Sequence, residues 1–248
     1  MGPRYDVVSI APNKSESGNS GMTTVGATFS AENTSLQTLI SSAYGIRSGL
    51  ISGLPRWADG ARYNVNGKIV DPDVAALKKL TKEQREAMLA AVLEDRFQVK
   101  VHTETKQMPV YDLVIAKNGP KLKETPPAKA SEGGPAPEKG SRGGYSTNDT
   151  ELTATALQIS SLAEWLSGKF NRTILDKTGL TGEYDFHSTF SADTAELSGE
   201  DDGRQSKGDA AAPSLFTALQ EQIGLKLEST KGPVKTLMVD HAEPPSAN

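Results

Sequence analysis

Ser35-Leu36-Gln37-Thr38-Leu39-Ile40-Ser41-Ser42-Ala43-Tyr44 returns 126 residues later as Ser161-Leu162-Ala163-Glu164-Trp165-Leu166-Ser167-Gly168-Lys169-Phe170. In each copy the apolar residues stand three and four apart, the spacing of one buried stripe on an α-helix. Asn33, Thr34 or Ser35 can cap the first copy, and Gly45 ends it. Further along, Leu89, Leu93, Phe97 and Val99-Lys100-Val101 return at the same offset as Leu215, Leu219, Ile223 and Leu225-Lys226-Leu227. Pro109-Val110-x-x-Leu113-Val114-Ile115 is echoed by Pro233-Val234-x-x-Leu237-Met238-Val239, the offset slipping to 124. Three blocks in one order at nearly constant spacing indicate a duplicated α/β unit.

Extending the pattern to the chain between these blocks predicts β-α-β-β-α-β-β twice. The expected fold is α+β, with two tandem pseudo-repeated lobes, each a small mixed sheet covered on one face by two helices. The boundaries follow from composition. Residues 1–26 read as an N-terminal strand and mobile loop, 27–118 as the first repeat, and 119–149 as a Pro/Gly-rich linker. Residues 150–243 form the second repeat, with a flexible acidic loop at 191–212, and 244–248 a tail. Thr81-Lys82-Glu83-Gln84 fits a capping box that opens the second helix, whose stripe is Met88, Leu89, Val92, Leu93 and Phe97. Trp165, Leu219 and Ile223 are expected in the core with Leu39, Leu93 and Phe97. After the second helix of each repeat, two strands joined by a turn are expected, 98–104 with 109–117 and 224–229 with 233–241. Residues 124–142 and 193–211 are expected to be the least ordered.

Composition narrows the function classes. A formal charge of -4 with a pI near 5.5 gives no basic field, so nucleic acid is not an expected partner. The chain has no cysteine, which removes disulfides, thiolate metal sites and cysteine nucleophiles together. No apolar run approaches the ~18 residues of a membrane span. Met1-Gly2-Pro3 leads straight into strand-like Tyr5-Asp6-Val7-Val8-Ser9-Ile10, so a leader removed before this start is expected.

Several longer segments resemble a known family. They are Tyr5-Asp6-Val7-Val8-Ser9-Ile10-Ala11-Pro12-Asn13, Ser35-Leu36-Gln37-Thr38-Leu39-Ile40 with Ala43-Tyr44-Gly45, and Ile51-Ser52-Gly53-Leu54-Pro55-Arg56-Trp57. Asp95-Arg96-Phe97, Lys117-Asn118-Gly119-Pro120-Lys121-Leu122 and the run from Leu175 to Phe186 continue the match, which closes on Asp240-His241-Ala242-Glu243-Pro244-Pro245. Together they resemble the soil-associated family abundant in acidobacteria, a domain of unknown function designated DUF3738. One departure is Leu54, where the family pattern usually has a second glycine. The resemblance implies export to the periplasm or cell exterior, and no activity is established for the family.

Candidate chemistry is sparse. Asp240-His241 could orient an imidazole for base catalysis, with Asp176 as a further acid, so Asp176, Asp240 and His241 are the catalytic candidates. No spaced third ligand accompanies them, and neither a metal nor a cofactor is expected. Serine-elbow and phosphate-loop motifs fail on spacing. His102, on a strand between Lys100 and Glu104, reads as an exposed strand histidine. Gly53-Leu54-Pro55-Arg56-Trp57 puts an arginine and a tryptophan on a rigid turn, and Asp176-Lys177-Thr178-Gly179 occupies the matching place in the second repeat. Tyr44, Arg56, Trp57, Lys177 and Thr178 are therefore the ligand-binding candidates, although Trp57 can equally fold back to cap a core.

The leading functional expectation is a non-catalytic extracytoplasmic module that binds or senses a cell-envelope component, a glycan or peptide, or a partner protein. A hydrolase using the Asp/His pair and a structural domain acting by strand addition are the alternatives.

Overall fold

Each copy of the opening stretch forms a helix. The computed structural model describes residues 3–15, 19–126, 143–191 and 212–245. Helix α1 (Leu36–Tyr44) begins at Ser35, whose hydroxyl accepts from the Thr38 N–H at 3.1 Å, and ends at Gly45 in the left-handed region. Leu36, Leu39, Ile40 and Ala43 are buried. Its counterpart α4 (Ile159–Lys169) buries Leu162 and Leu166, but Trp165 is only half-buried, against expectation. Between the repeated blocks, Asp73 caps a short α2 (Val74–Lys78) through the Ala75 and Ala76 N–H groups. Thr81 and Gln84 make the capping box of α3 (Lys82–Arg96), which buries Met88, Leu89, Val92 and Leu93. In the second repeat α5 (Leu215–Ala218) runs into a π turn at Leu219–Ile223.

The strands repeat as faithfully as the helices. In the first copy β1 (Val7–Pro12), β2 (Gly21–Val25), β3 (Thr28–Thr34) and β5 (Tyr63–Lys68) form an antiparallel sheet in the order β1-β5-β3-β2, with the two-residue β4 (Ile51–Ser52) outside it. The remaining strands are β6 (Lys100–Ile115), β7 (Lys123–Glu124), β8 (Gly144–Thr147), β9 (Glu151–Gln158), β10 (Ile174–Asp176), β11 (Glu183–Thr189) and β12 (Leu225–His241). Among these, β7-β11-β9-β8 reproduces the first sheet strand for strand, again antiparallel. Left-handed backbone recurs too: Gly45 with Asn171, Gly53 with Gly179 and Gln98 with Gly224 at the offset of 126, and Asn33 with Ala156 at 123, in the equivalent strands β3 and β9. Side chains other than glycine resist that region, so its return at matching places shows that the backbone itself was duplicated. Gly53 and Gly224 are required for a second reason. A Cβ at Gly53 would strike the Val239 carbonyl, and one at Gly224 the Gly119 carbonyl.

Three features differ from the sequence reading. The expected turns at 105–108 and 230–232 are absent, since β6 and β12 each run through as one long strand. Pro109 and Pro233 suggested a break, yet proline is tolerated in a strand wherever its missing N–H has no ladder partner. The loop after Pro12 contains β2, and the stretch 119–149 carries β7 and β8 at its two ends. Every residue of these three strands is exposed, so no apolar alternation announced them. Most of 124–142 and all of 193–211 lie outside the described residues.

The compact units are not the sequence repeats. One unit comprises residues 1–106 with 235–248, and the other 107–234, so the division falls inside β6 and β12. In the first unit β4 pairs parallel with the end of β12, Ile51 opposite Leu237. Leu237, Val239 and Ala242 then join Leu36, Leu39, Leu93 and Phe97 in its core. In the second, β10 pairs parallel with the end of β6, Ile174 opposite Tyr111, and Tyr111 and Leu113 complete a core of Leu162, Leu166, Leu219 and Ile223. Each unit is closed by a strand segment that belongs, in sequence, to the other repeat.

Candidate functional site

The second unit carries an open depression of about 490 Å³ lined by Tyr145, Glu164, Trp165, Gly168 and Lys169. Two elements build it. The edge strand β8 places Tyr145 opposite Ala154 of β9, leaving the tyrosine 47% exposed. Helix α4 supplies the other four residues from two adjacent turns of one face, as i, i+3 and i+4 spacing requires. Trp165 packs against the second core, its ring tilted by 57° to that of the fully buried Phe190 at 6.3 Å between centroids. Tyr145 meets the same indole edge-on, at 6.3 Å and 60°. The depression is thus lined by an exposed tyrosine and a half-buried tryptophan, with Glu164 and Lys169 from the same helix.

By sequence offset the corresponding residues of the first repeat are Thr38, Leu39, Ser42 and Ala43 for Glu164, Trp165, Gly168 and Lys169, and by strand pairing Met22, opposite Ala31, matches Tyr145, opposite Ala154. Leu39 and Ala43 are ordinary core residues there. The aromatic and charged character is thus present in one copy of the duplicated frame and absent from the other.

The candidates read from the sequence are placed as follows. Arg56 is exposed on a single 3-10 turn (Arg56–Ala58), and half-buried Trp57 packs against the first core. Tyr44 is half-buried, and burial followed by the Glu94 charge pushes its hydroxyl pKa up. These three residues belong to the first unit, whereas Lys177 and Thr178 belong to the second. The Lys177 N–H bonds the Leu113 carbonyl at 2.9 Å. Thr178 is buried, and both its N–H and its hydroxyl donate to Asp176 Oδ1, at 2.9 and 2.7 Å. The Asp176 carboxylate is therefore engaged in shaping its own turn.

The expected Asp240–His241 pair does not form. Neighbours on a strand point to opposite faces, and Asp240 instead holds His102, its two carboxylate oxygens 2.8 and 2.9 Å from Nδ1. His241 Nε2 lies 3.0 Å from Glu243. On the other side of the His102 ring, Nε2 lies 3.3 Å from Glu104, which in turn bonds Lys106 at 2.7 Å. Hydrogen bonds donated by the ring to the Asp240 and then the Glu104 carboxylate raise the His102 pKa above its ordinary value. The protonated ring accordingly adds stability in full below the unfolded pKa, and this is lost as pH rises through the raised value. With both ring nitrogens engaged, this chain of charges ties β6 to β12 within the first unit. Among the described residues, no group of three or more His, Asp or Glu side chains is arranged to hold a metal ion.

Sequence reasoning missed Tyr145 because it fell in the stretch read as linker, and expected Trp165 largely buried like Leu39, whereas it packs against the core with part of its surface exposed. The usable signal was size: an indole rarely fits whole into a leucine's space in a duplicated frame.

Fold and surface together define a duplicated α+β protein with an aromatic depression on one unit. The chain belongs to the DUF3738 family, described as a protein of unknown function, whose model matches residues 37–242. It matched none of the curated proteins and none of the solved structures.

Proposed function

We propose that this protein is a non-catalytic extracytoplasmic module that binds a component of the cell envelope, a glycan or a partner protein. Export, and an origin among soil-associated acidobacteria, come into this reading from the sequence resemblance. The observation that carries it is the Tyr145–Trp165 depression, where an exposed tyrosine meets a half-buried tryptophan and Glu164 and Lys169 complete the lining. Surfaces of this composition supply binding energy through a few aromatic anchors. The hydrolase reading retains one observation in its favour, the imidazole oriented by Asp240, but its second nitrogen lies against Glu104.

A thermal-shift screen of the full chain against envelope glycans, peptides and metal ions tests the proposal, because a ligand that binds only the native state raises Tm by mass action. The expected result is a concentration-dependent rise with a glycan or peptide. Turnover of an envelope substrate that disappears in His102→Ala, with folding intact, would replace the binding reading by the hydrolase one. Fractionation of native cells tests the export claim, and recovery in the cytoplasm would refute it.

A further inference from the structure

We infer that the edge strand β2 pairs antiparallel with β2 of a second copy of this chain, about a twofold axis at Thr23. The inference does not rest on the binding reading; where that reading holds, the dimer carries two binding surfaces per particle. The unguarded state of this edge is the first argument. An outer strand is an open template for another chain, and proteins blunt it with charge, proline, a bulge or extreme shortness. β2 is Gly21-Met22-Thr23-Thr24-Val25, with neither charge nor proline, and its pairing with β3 runs without a bulge. Among the described residues no strand lies on its other side. The opposite edge of the same sheet is blunted twice: β1 ends in Pro12, and the Arg96 guanidinium donates to the Val8 carbonyl at 3.4 Å. In the second unit β7 is only Lys123-Glu124, both charged, and the one large side chain of the short β8 is set against Trp165.

Self-complementarity is the second argument, and it names the occupant. Met22 and Thr24 stand opposite Ala31 and Phe29, both buried, so they lie on the inner face of the sheet, with Gly21, Thr23 and Val25 on the outer. A twofold axis perpendicular to the sheet keeps inner residues beside inner ones, and centring it on Thr23 engages the whole strand. Met22 then faces Thr24 of the second copy, and Val25 faces Gly21. Val25 is 72% exposed, and a Cβ built on Gly21 meets no atom within 4 Å, so the valine has open space to enter. Met22, 38% exposed, is covered in the same step. Charge is the third. An acidic or basic strand finds no opposite charge along β2, whereas a second copy brings none of either sign.

Sedimentation velocity of the full chain over a range of concentrations tests the pairing. The expected result is a reversible monomer–dimer equilibrium with a Kd of about 100 µM or tighter, the weak end suited to so short an edge. Thr23→Lys and Thr23→Glu each set like charges directly opposite one another and should each weaken the dimer about fivefold or more. Thr23 is exposed, so the circular dichroism and Tm of both variants should match those of the parent chain. An equimolar mixture of the two variants sets lysine opposite glutamate and should restore the dimer as a heterodimer. A chain that stays monomeric up to about 1 mM would overturn the inference. So would a dimer that both charge variants leave undiminished, or one that both weaken and the mixture fails to restore.

Discussion

At the scale of single residues, the duplication is clearest in a polar clasp around a bulge. Asn33 and Ala156 both adopt left-handed backbone within a strand, and each bulge N–H is caught by a side chain on the facing strand. In the first unit Asn64 Oδ1 accepts from the Asn33 N–H at 2.9 Å and from Asn13 Nδ2 at 2.8 Å. In the second, Asp185 Oδ1 accepts from the Ala156 N–H at 2.7 Å and from the Thr125 hydroxyl at 2.8 Å. An amide and a carboxylate thus do one job. The Ala156 N–H, and then the Thr125 hydroxyl, hold the Asp185 carboxyl below its ordinary pKa. Its contribution to stability is therefore present above the unfolded value of about 3.9 and lost as pH falls through the lower folded value. Asp185→Asn should keep the neutral-pH stability and flatten the acid limb of a denaturation series, whereas Asp185→Ala should lower the midpoint at every pH. Equal destabilisation by both substitutions would show that the acceptor at this position is unimportant. Asparagine at a left-handed position is readable in a sequence. Ala156 is not, because nothing in an alanine announces a bulge.

At the scale of elements, legibility followed burial. Helices α1, α3 and α4 were evident from their stripes, and the capping box marks the start of α3 as the residues predict. Leu93 lies fully buried in the first core, so Leu93→Ala should cost about 2–5 kcal/mol by chemical denaturation. A loss below about 1 kcal/mol would mean that the core collapses around the site. Strands β2, β7 and β8 were invisible because an edge strand with no buried residue has no apolar period. The best candidate surface lies on such an edge, and for that reason Tyr145 escaped notice while the candidates on the conspicuous Pro55 turn did not.

At the scale of the whole molecule, the repeat was legible and the way each core is completed was not. A tandem pattern looks the same whether a strand closes its own core or that of the other copy. Only the structure shows Leu237, Val239 and Ala242 packed with the first repeat's helices, and Tyr111 and Leu113 with those of the second. A chain of residues 1–118 lacks one strand of its core and should fail to unfold cooperatively as a monomer in calorimetry. A sharp monomeric transition would mean that each repeat is self-sufficient. The central proposal is that the second unit carries a ligand-binding surface that the first unit lacks. Amide chemical-shift mapping of the full chain during titration with a neutral oligosaccharide tests this most directly. The account predicts shifts centred on Tyr145 and on Glu164 to Lys169, with Met22 and Leu39 unmoved. Shifts centred on Arg56 and Trp57 would contradict it.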